Sequence, residues 1–211
     1  MKFCPIILAA GQSSRMGKIK ALLPLPRDDV ERSALEGLAR LYRAAGFEDI
    51  LVISGCHAEQ VEAAAKALSL TVARNPRPDD GMFSSVCVGL RAAPPDSDAF
   101  FIHPVDVPLV RTATAHLLAR THAARIARAE SPVVVIPLCD GREGHPLLVP
   151  DVFKRAILSH SGENGLRGAL ASLPEQDVLA LETGDPGVTE DMDSPDDYAR
   201  LRALALNHRL P

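Results

Sequence analysis

Phe3-Cys4-Pro5-Ile6-Ile7-Leu8-Ala9-Ala10-Gly11-Gln12-Ser13-Ser14-Arg15-Met16-Gly17-Lys18-Ile19-Lys20-Ala21-Leu22-Leu23-Pro24 is the stretch from which the fold is read. Phe3 to Leu8 is an apolar run of strand length, the pattern of a strand buried on both faces. The chain then turns small and polar. Gly11 and Gly17 bracket Gln12, Ser13, Ser14 and Arg15, and Lys18 and Lys20 follow before Ala21-Leu22-Leu23 becomes apolar again. A glycine-bearing loop leaving a strand can turn several backbone N–H groups onto one anion, because glycine accepts positive φ and allows close approach. Arg15 and Lys20 add mobile positive charge suited to phosphate oxygens. Read from its residues this is a nucleotide triphosphate loop, with an ordinary strand-to-helix turn as the alternative. It matches neither G-x-x-x-x-G-K-[ST] nor G-x-G-x-x-G, so it is neither a P-loop nor a dinucleotide fingerprint.

Strand and helix patterns alternate along the rest of the chain. Asp49 to Gly55, Leu70 to Ala73, Ala99 to His103 and Ser131 to Leu138 read as strands, and Val178 to Glu182 as a late one. Leu147 to Val149, after the turn at Asp140-Gly141, reads as an antiparallel strand. Helices are expected from Ser33 to Ala45, about His57 to Leu68, around Val86 to Leu90, and Arg111 to Ala129. Two short ones fall within residues 150–173, and a last one runs from Ser194-Pro195 to Asn207. Ser33 and Glu36 have capping-box spacing, with Asp28 or Asp29 as earlier caps in a surface turn at Arg27-Asp28-Asp29. Pro24 and Pro26 read as breakers. This alternation implies βαβ crossovers and a mainly parallel sheet.

The 211 residues suit one domain spanning 1–211. A net charge of −4 gives no support for nucleic-acid binding. No apolar run approaches the roughly 20 residues that span a bilayer, and the start lacks a signal-peptide pattern. The four cysteines, at 4, 56, 87 and 139, form no close pair, which argues against zinc and redox motifs. The expected location is the cytoplasm.

Asp106, between Pro104 and Pro108 at the end of a strand, is a carboxylate at the edge where doubly wound sheets hold ligands, and suits a hard cation such as Mg²⁺. Asp191 and Asp193 lie ahead of the last helix and either join that cation site or form a solvated acidic turn. Ser84 and Ser85 either cap a helix or face a ligand. His103 reads as a strand-end packing or hydrogen-bonding residue, and His116 and His122 as a solvated helix face.

Leu8-Ala9-Ala10-Gly11-Gln12-Ser13-Ser14-Arg15-Met16-Gly17-Lys18-Ile19-Lys20-Ala21-Leu22-Leu23-Pro24 resembles the L-A-A-G-x-S-x-R-M-G-x-x-K-x-L-L-P motif of the MobA-like nucleotidyltransferases, most of all the molybdenum cofactor cytidylyltransferases. The guanylyltransferases of that superfamily resemble L-A-G-G and usually carry Asp before the lysine; Ala10 and Ile19 stand there in this chain and favour CTP. Three further stretches are similar to family motifs in the same order: Asn75 with Gly81-Met82-Phe83-Ser84-Ser85, Asp106-Val107-Pro108, and Gly141-Arg142-Glu143-Gly144-His145-Pro146.

The resemblance implies a three-layer, doubly wound, mostly parallel α/β sheet with one antiparallel strand, of the Rossmann-like nucleotide-diphospho-sugar-transferase type. It implies nucleotide contacts from Leu8, Ala9, Ala10, Gly11, Ser13, Asn75, Gly81, Ser84 and Ser85, and His145 facing the acceptor. Lys20, Arg15 and Asp106 would be catalytic, and Asp106 with Asp191 or Asp193 would hold Mg²⁺. The implied reaction moves CMP from CTP to the terminal phosphate of molybdopterin. Its partners would be CTP, a phosphorylated pterin and an apo molybdoenzyme or its chaperone, with no nucleic acid or membrane. GTP, a sugar phosphate or isoprenoid precursor as acceptor, and a molybdenum cofactor carrier remain as alternatives.

Overall fold

The computed structural model describes residues 1–27 and 30–206. The turn and caps expected at Asp28 and Asp29, and the helix end at Asn207, lie outside the described residues. The strands are β1 Phe3–Leu8, β2 Pro24–Arg27, β3 Val30–Ser33, β4 Leu51–Ser54 and β5 Thr71–Arg74, then β6 Ala99–Pro104, β7 Val134–Cys139, β8 Arg142–Glu143, β9 Leu147–Pro150 and β10 Val178–Glu182. The helices are α1 Ala34–Ala44, α2 Ala58–Ala67, α3 Met82–Ala92 and α4 Thr112–Ala127, then α5 Lys154–Ser159, α6 Gly165–Ala171 and α7 Pro195–Leu206.

The main sheet runs β10-β7-β9-β6-β1-β4-β5, with β8 beside β7. β1 pairs in parallel with β4 and β6, and β4 with β5, whereas β9 lies antiparallel between β6 and β7. The expected sheet and its single inverted long strand are therefore observed. Alternation along the strands feeds two cores. Ile7, Val52 and Phe101 face α1, α2, α4 and α7, through Leu38, Val61, Leu118 and Leu201. Ile6, Ile53 and Ile102 face α3, α5 and α6, through Leu90, Ile157 and Leu166.

The chain steps outward from β1 to β4 and β5, then returns through α3 to β6 on the other side of β1. That reversal opens a crevice between the carboxyl ends of β1 and β6, where open α/β sheets bind ligands. Gly89 lets α3 lie close over β1, since a Cβ there would fall 2.5 Å from Ile6 Cγ2.

Two expectations need correction. Pro24 and Pro26 do not end regular structure; they lie in β2, which pairs with β3 in a ribbon separate from the main sheet. A two-stranded ribbon leaves outward backbone positions unpaired, so proline costs it no ladder bond. α7 seats the ribbon, with Tyr198 Oη donating to the Pro24 carbonyl at 2.6 Å and Arg202 pairing with Glu31. On α4, His116 is exposed as expected, but His122 is buried and meets the Phe3 ring edge-on at 6.2 Å.

Among the described residues no helix is long and apolar enough to cross a membrane. Burial lowers the pKa of His122, with Asp98 opposing. The folded state therefore resists protonation that the unfolded chain accepts. The stability tied to neutral His122 is complete above the ordinary histidine pKa of about 6.5 and is lost as pH falls below it. Denaturant titrations at descending pH should show wild type losing stability faster than His122→Leu. Parallel profiles would contradict this.

Candidate active site

Met16, a mostly buried anchor, and Ser13 shape the loop after β1. Ser13 adopts left-handed backbone (φ +53°), and its carbonyl accepts from the amides of Met16 and Gly17, each at 3.1 Å. The positive φ in this loop falls on Ser13 and Gly17 rather than on Gly11, where a Cβ would meet nothing within 4 Å. Ser13 Oγ also accepts from the Lys20 amide at 3.2 Å, bringing the short 3-10 turn Lys20–Leu22 back over the strand end. Lys20 thereby projects across the crevice.

Its ammonium meets two carboxylates, with Nζ donating to Asp106 Oδ2 at 2.9 Å and to Asp193 Oδ1 at 2.7 Å. The Lys20 side chain keeps 14% of its exposure. Burial works against its charge, but the Asp106 charge and the Asp193 hydrogen bond outweigh it and raise its pKa above the ordinary lysine value. The Lys20 hydrogen bond lowers the pKa of Asp193, against its partial burial and with help from Arg15. Arg15, largely exposed, donates to Asp193 Oδ2 at 2.7 Å. Desolvation by its surroundings and the charges of Asp193 and Asp106 raise the pKa of Asp191, whose exposed side chain forms no ion pair among the described residues.

A cleft of about 260 Å³ lies in front of this cluster. Leu8, Ala9, Ala10, Gly11, Ser13, Lys20 and Asp106 line it from the β1 and β6 side; Pro78, Gly81, Met82 and Ser85 line it from the β5–α3 side. Asn75 and Ser84 stand behind that wall. Asn75, buried, donates from Nδ2 to Ser84 Oγ at 2.7 Å and to Ser85 Oγ at 2.9 Å, and Ser84 Oγ donates to the Gly81 carbonyl at 2.7 Å. The two serines thus shape the start of α3 through side-chain bonds; neither is its N-cap, a position taken by Gly81.

His145 does not line the cleft. It precedes β9, beside the end of β6, and its amide donates to the Val188 carbonyl at 2.8 Å. Desolvation lowers its pKa, with Asp106 and the Ile102 backbone opposing. Among the described residues no set of three or more His, Cys, Asp or Glu side chains is arranged around a metal position. The expected carboxylates Asp106 and Asp193 instead converge on Lys20.

His103, a strand-end packing or hydrogen-bonding residue by its sequence, links two elements in the fold. The ring is fully buried; Tyr42 Oη lies 2.8 Å from Nδ1, and Nε2 lies 2.8 Å from the Val107 carbonyl. The carbonyl only accepts, so Nε2 carries the proton and Nδ1 accepts from the tyrosine. This pair ties the loop bearing Asp106 to α1.

Residues 5–178 match the MobA-like NTP transferase domain, and the chain belongs to that family. Over 93% of its length it is 29% identical to nicotine blue oxidoreductase of Paenarthrobacter nicotinovorans, covering 94% of that protein. Over 92% of its length it is 25% identical to molybdenum cofactor cytidylyltransferase of Escherichia coli K12, covering 92% of that protein. The crystal structure of Rv0371c from Mycobacterium tuberculosis H37Rv superposes with a TM-score of 0.78 at 25% identity, over 96% of this chain and 98% of that one. The same protein has also been solved in complex with manganese, with a TM-score of 0.72 at 23% identity, over 96% of this chain and 99% of that one.

Tyr42→Phe should remove a hydrogen bond from the buried His103 ring, at a cost of about 1–3 kcal/mol. Urea unfolding measures it, and a change below about 0.5 kcal/mol would show that the pair holds nothing in place.

Proposed function

We propose that this chain transfers CMP from CTP to the terminal phosphate of a molybdopterin-type cofactor, with a divalent cation and with release of pyrophosphate. The observation that carries the reading is the Lys20 ammonium, mostly buried and shared by Asp106 and Asp193 at the head of the cleft. A cation so placed suits a reaction in which negative charge builds up at phosphorus. CTP is favoured over GTP by Ala10 and Ile19, which both line the cleft, and by similarity along the chain to a molybdenum cofactor cytidylyltransferase.

In the reaction an oxygen of the acceptor phosphate attacks the α-phosphorus of CTP. The bond from that phosphorus to the bridging oxygen breaks, and pyrophosphate leaves with the electron pair. The acceptor oxygen is already anionic, so no strong base is needed. Repulsion between anions is the main barrier, and positioning and charge stabilisation lower it. Lys20 is assigned to the α-phosphate. Arg15 and the amides of the Ala9–Ser13 loop are assigned to the departing phosphates, and Gly81 and Ser85, with Asn75 and Ser84 behind them, to base and ribose.

The donor chemistry fits a divalent cation: Asp106 and Asp193 offer the carboxylate oxygens that Mg²⁺ and Mn²⁺ prefer, with Asp191 within electrostatic reach. Asp106 with Asp193 or Asp191 would hold it. When bound, such a cation neutralises phosphate charge and orients both substrates. In the nucleotide-free chain Lys20 competes with that cation for the same two carboxylates.

Lys20→Met is therefore expected to change two quantities in opposite directions. Without nucleotide, Mn²⁺ binding followed by electron paramagnetic resonance should tighten by about tenfold, since the competing ammonium is gone. Pyrophosphate release from CTP and molybdopterin should fall by about 10²-fold or more in turnover, with a much smaller loss in CTP affinity. Equal losses in turnover and affinity, or weaker Mn²⁺ binding, would contradict the assignment.

A further inference from the structure

Thr183-Gly184-Asp185-Pro186-Gly187 reads in the sequence as a plain turn, yet Asp185 is only 1% exposed. Its Oδ2 accepts from the Arg111 amide at 2.9 Å and from Thr114 Oγ1 at 2.5 Å. Its Oδ1 accepts from the Gly187 amide at 2.9 Å and lies 3.6 Å from Arg111 Nε. We propose that Asp185 is a positioning residue that sets the separation of Asp106 and Asp193. Its consequence for ligand binding rests on the function proposed above.

This carboxylate joins two segments. Arg111 and Thr114 begin α4, whose first amides have no partner within the helix and favour a nearby anion. The stretch leading into them, Asp106 to Val110, carries one of the two carboxylates that meet Lys20. Its Val107, Leu109 and Val110 are buried, so a shift of the α4 start is passed back to Asp106. On the other side Asp185 begins the stretch that ends at Asp193. There Val188 accepts from the His145 amide, and the amide of fully buried Met192 donates to the Asp106 carbonyl at 2.8 Å.

Between them the two backbones touch. A Cβ on Gly187 would fall 2.3 Å from the Leu109 carbonyl oxygen, a contact only glycine permits. Asp185 is itself fixed to the sheet, because its amide donates to Thr183 Oγ1 and the Thr183 amide donates to the Leu138 carbonyl at the end of β7. One buried carboxylate thus references the Asp106 loop and the Asp193 segment to the same point. Buried side chains with several bonds hold geometry because they have no alternative solvated state.

Asp185→Asn tests this, since the amide keeps one acceptor oxygen and turns the other into a donor facing a donor. Two readouts are taken well below the unfolding transition: hydrogen-exchange protection of the Met192 and His145 amides, and the affinity for Mn²⁺–CTP. Protection should fall by about tenfold or more at both amides, and Mn²⁺–CTP binding should weaken by about tenfold. Gly187→Ala, which keeps Asp185 but forces the segments apart, should give the same pair of changes if Asp185→Asn does not fold. Thr114→Val, which removes one bond, should give smaller ones. A carboxylate that merely stabilises α4 would lower Tm and leave both readouts at wild-type values, and that result would overturn the proposal. If the wild-type chain binds no Mn²⁺–CTP, the functional reading fails, while the exchange readout still decides whether Asp185 positions the two segments.

Discussion

An ammonium group held between two carboxylates is the interaction on which the cleft depends. Lys20 comes from the loop after β1, Asp106 from the loop after β6, and Asp193 from the segment before α7. Each is distant in sequence from the others, and only the reversal of strand order at β1 and β6 brings them together. The charge balance is local: partial burial disfavours the charged forms of Lys20 and Asp193, and their pairing restores them. On the proposed reaction, a triphosphate and a divalent cation arriving together would offer the same groups new partners of the same signs, the arrangement that nucleotidyl transfer uses.

Around that cluster, buried polar groups hold the geometry. The Tyr42–His103–Val107 chain fixes the Asp106 loop from α1, and Asp185 fixes it from the start of α4. Asn75 braces the opposite wall through Ser84 and Ser85. These contacts place the charged side chains on rigid elements, and preorganisation of this kind lowers the reorganisation a reaction demands.

The strands of the main sheet were legible because most are short apolar runs buried on both faces, bounded by turn formers. The loop after β1 and Asp106 were legible because glycines, hydroxyls and charges crowd the strand ends. The β2–β3 ribbon was not: its prolines signal a break, and only the pairing of Pro24 to Arg27 with Val30 to Ser33, seated by Tyr198 and Arg202, shows otherwise. His122 read as solvated because its helix is rich in alanine and arginine, so its apolar periodicity is weak. Asp185 was hidden in a turn sequence, where aspartate ordinarily bonds its own backbone. It does so here to Gly187, but its bonds to Arg111 and Thr114 come from the start of α4, and no local pattern encodes them.

Thermal unfolding of the wild-type chain with each nucleoside triphosphate, with and without Mg²⁺, tests the central claim most directly. A ligand at about a hundred times its dissociation constant adds about 2.7 kcal/mol, and for a chain of this size that raises Tm by roughly 5–10 °C. The account predicts stabilisation by CTP, enlarged by Mg²⁺ and exceeding that by GTP. A preference for GTP would contradict the cytidylyl assignment. No response to any triphosphate would contradict nucleotidyl transfer itself and favour a chain that carries a finished cofactor.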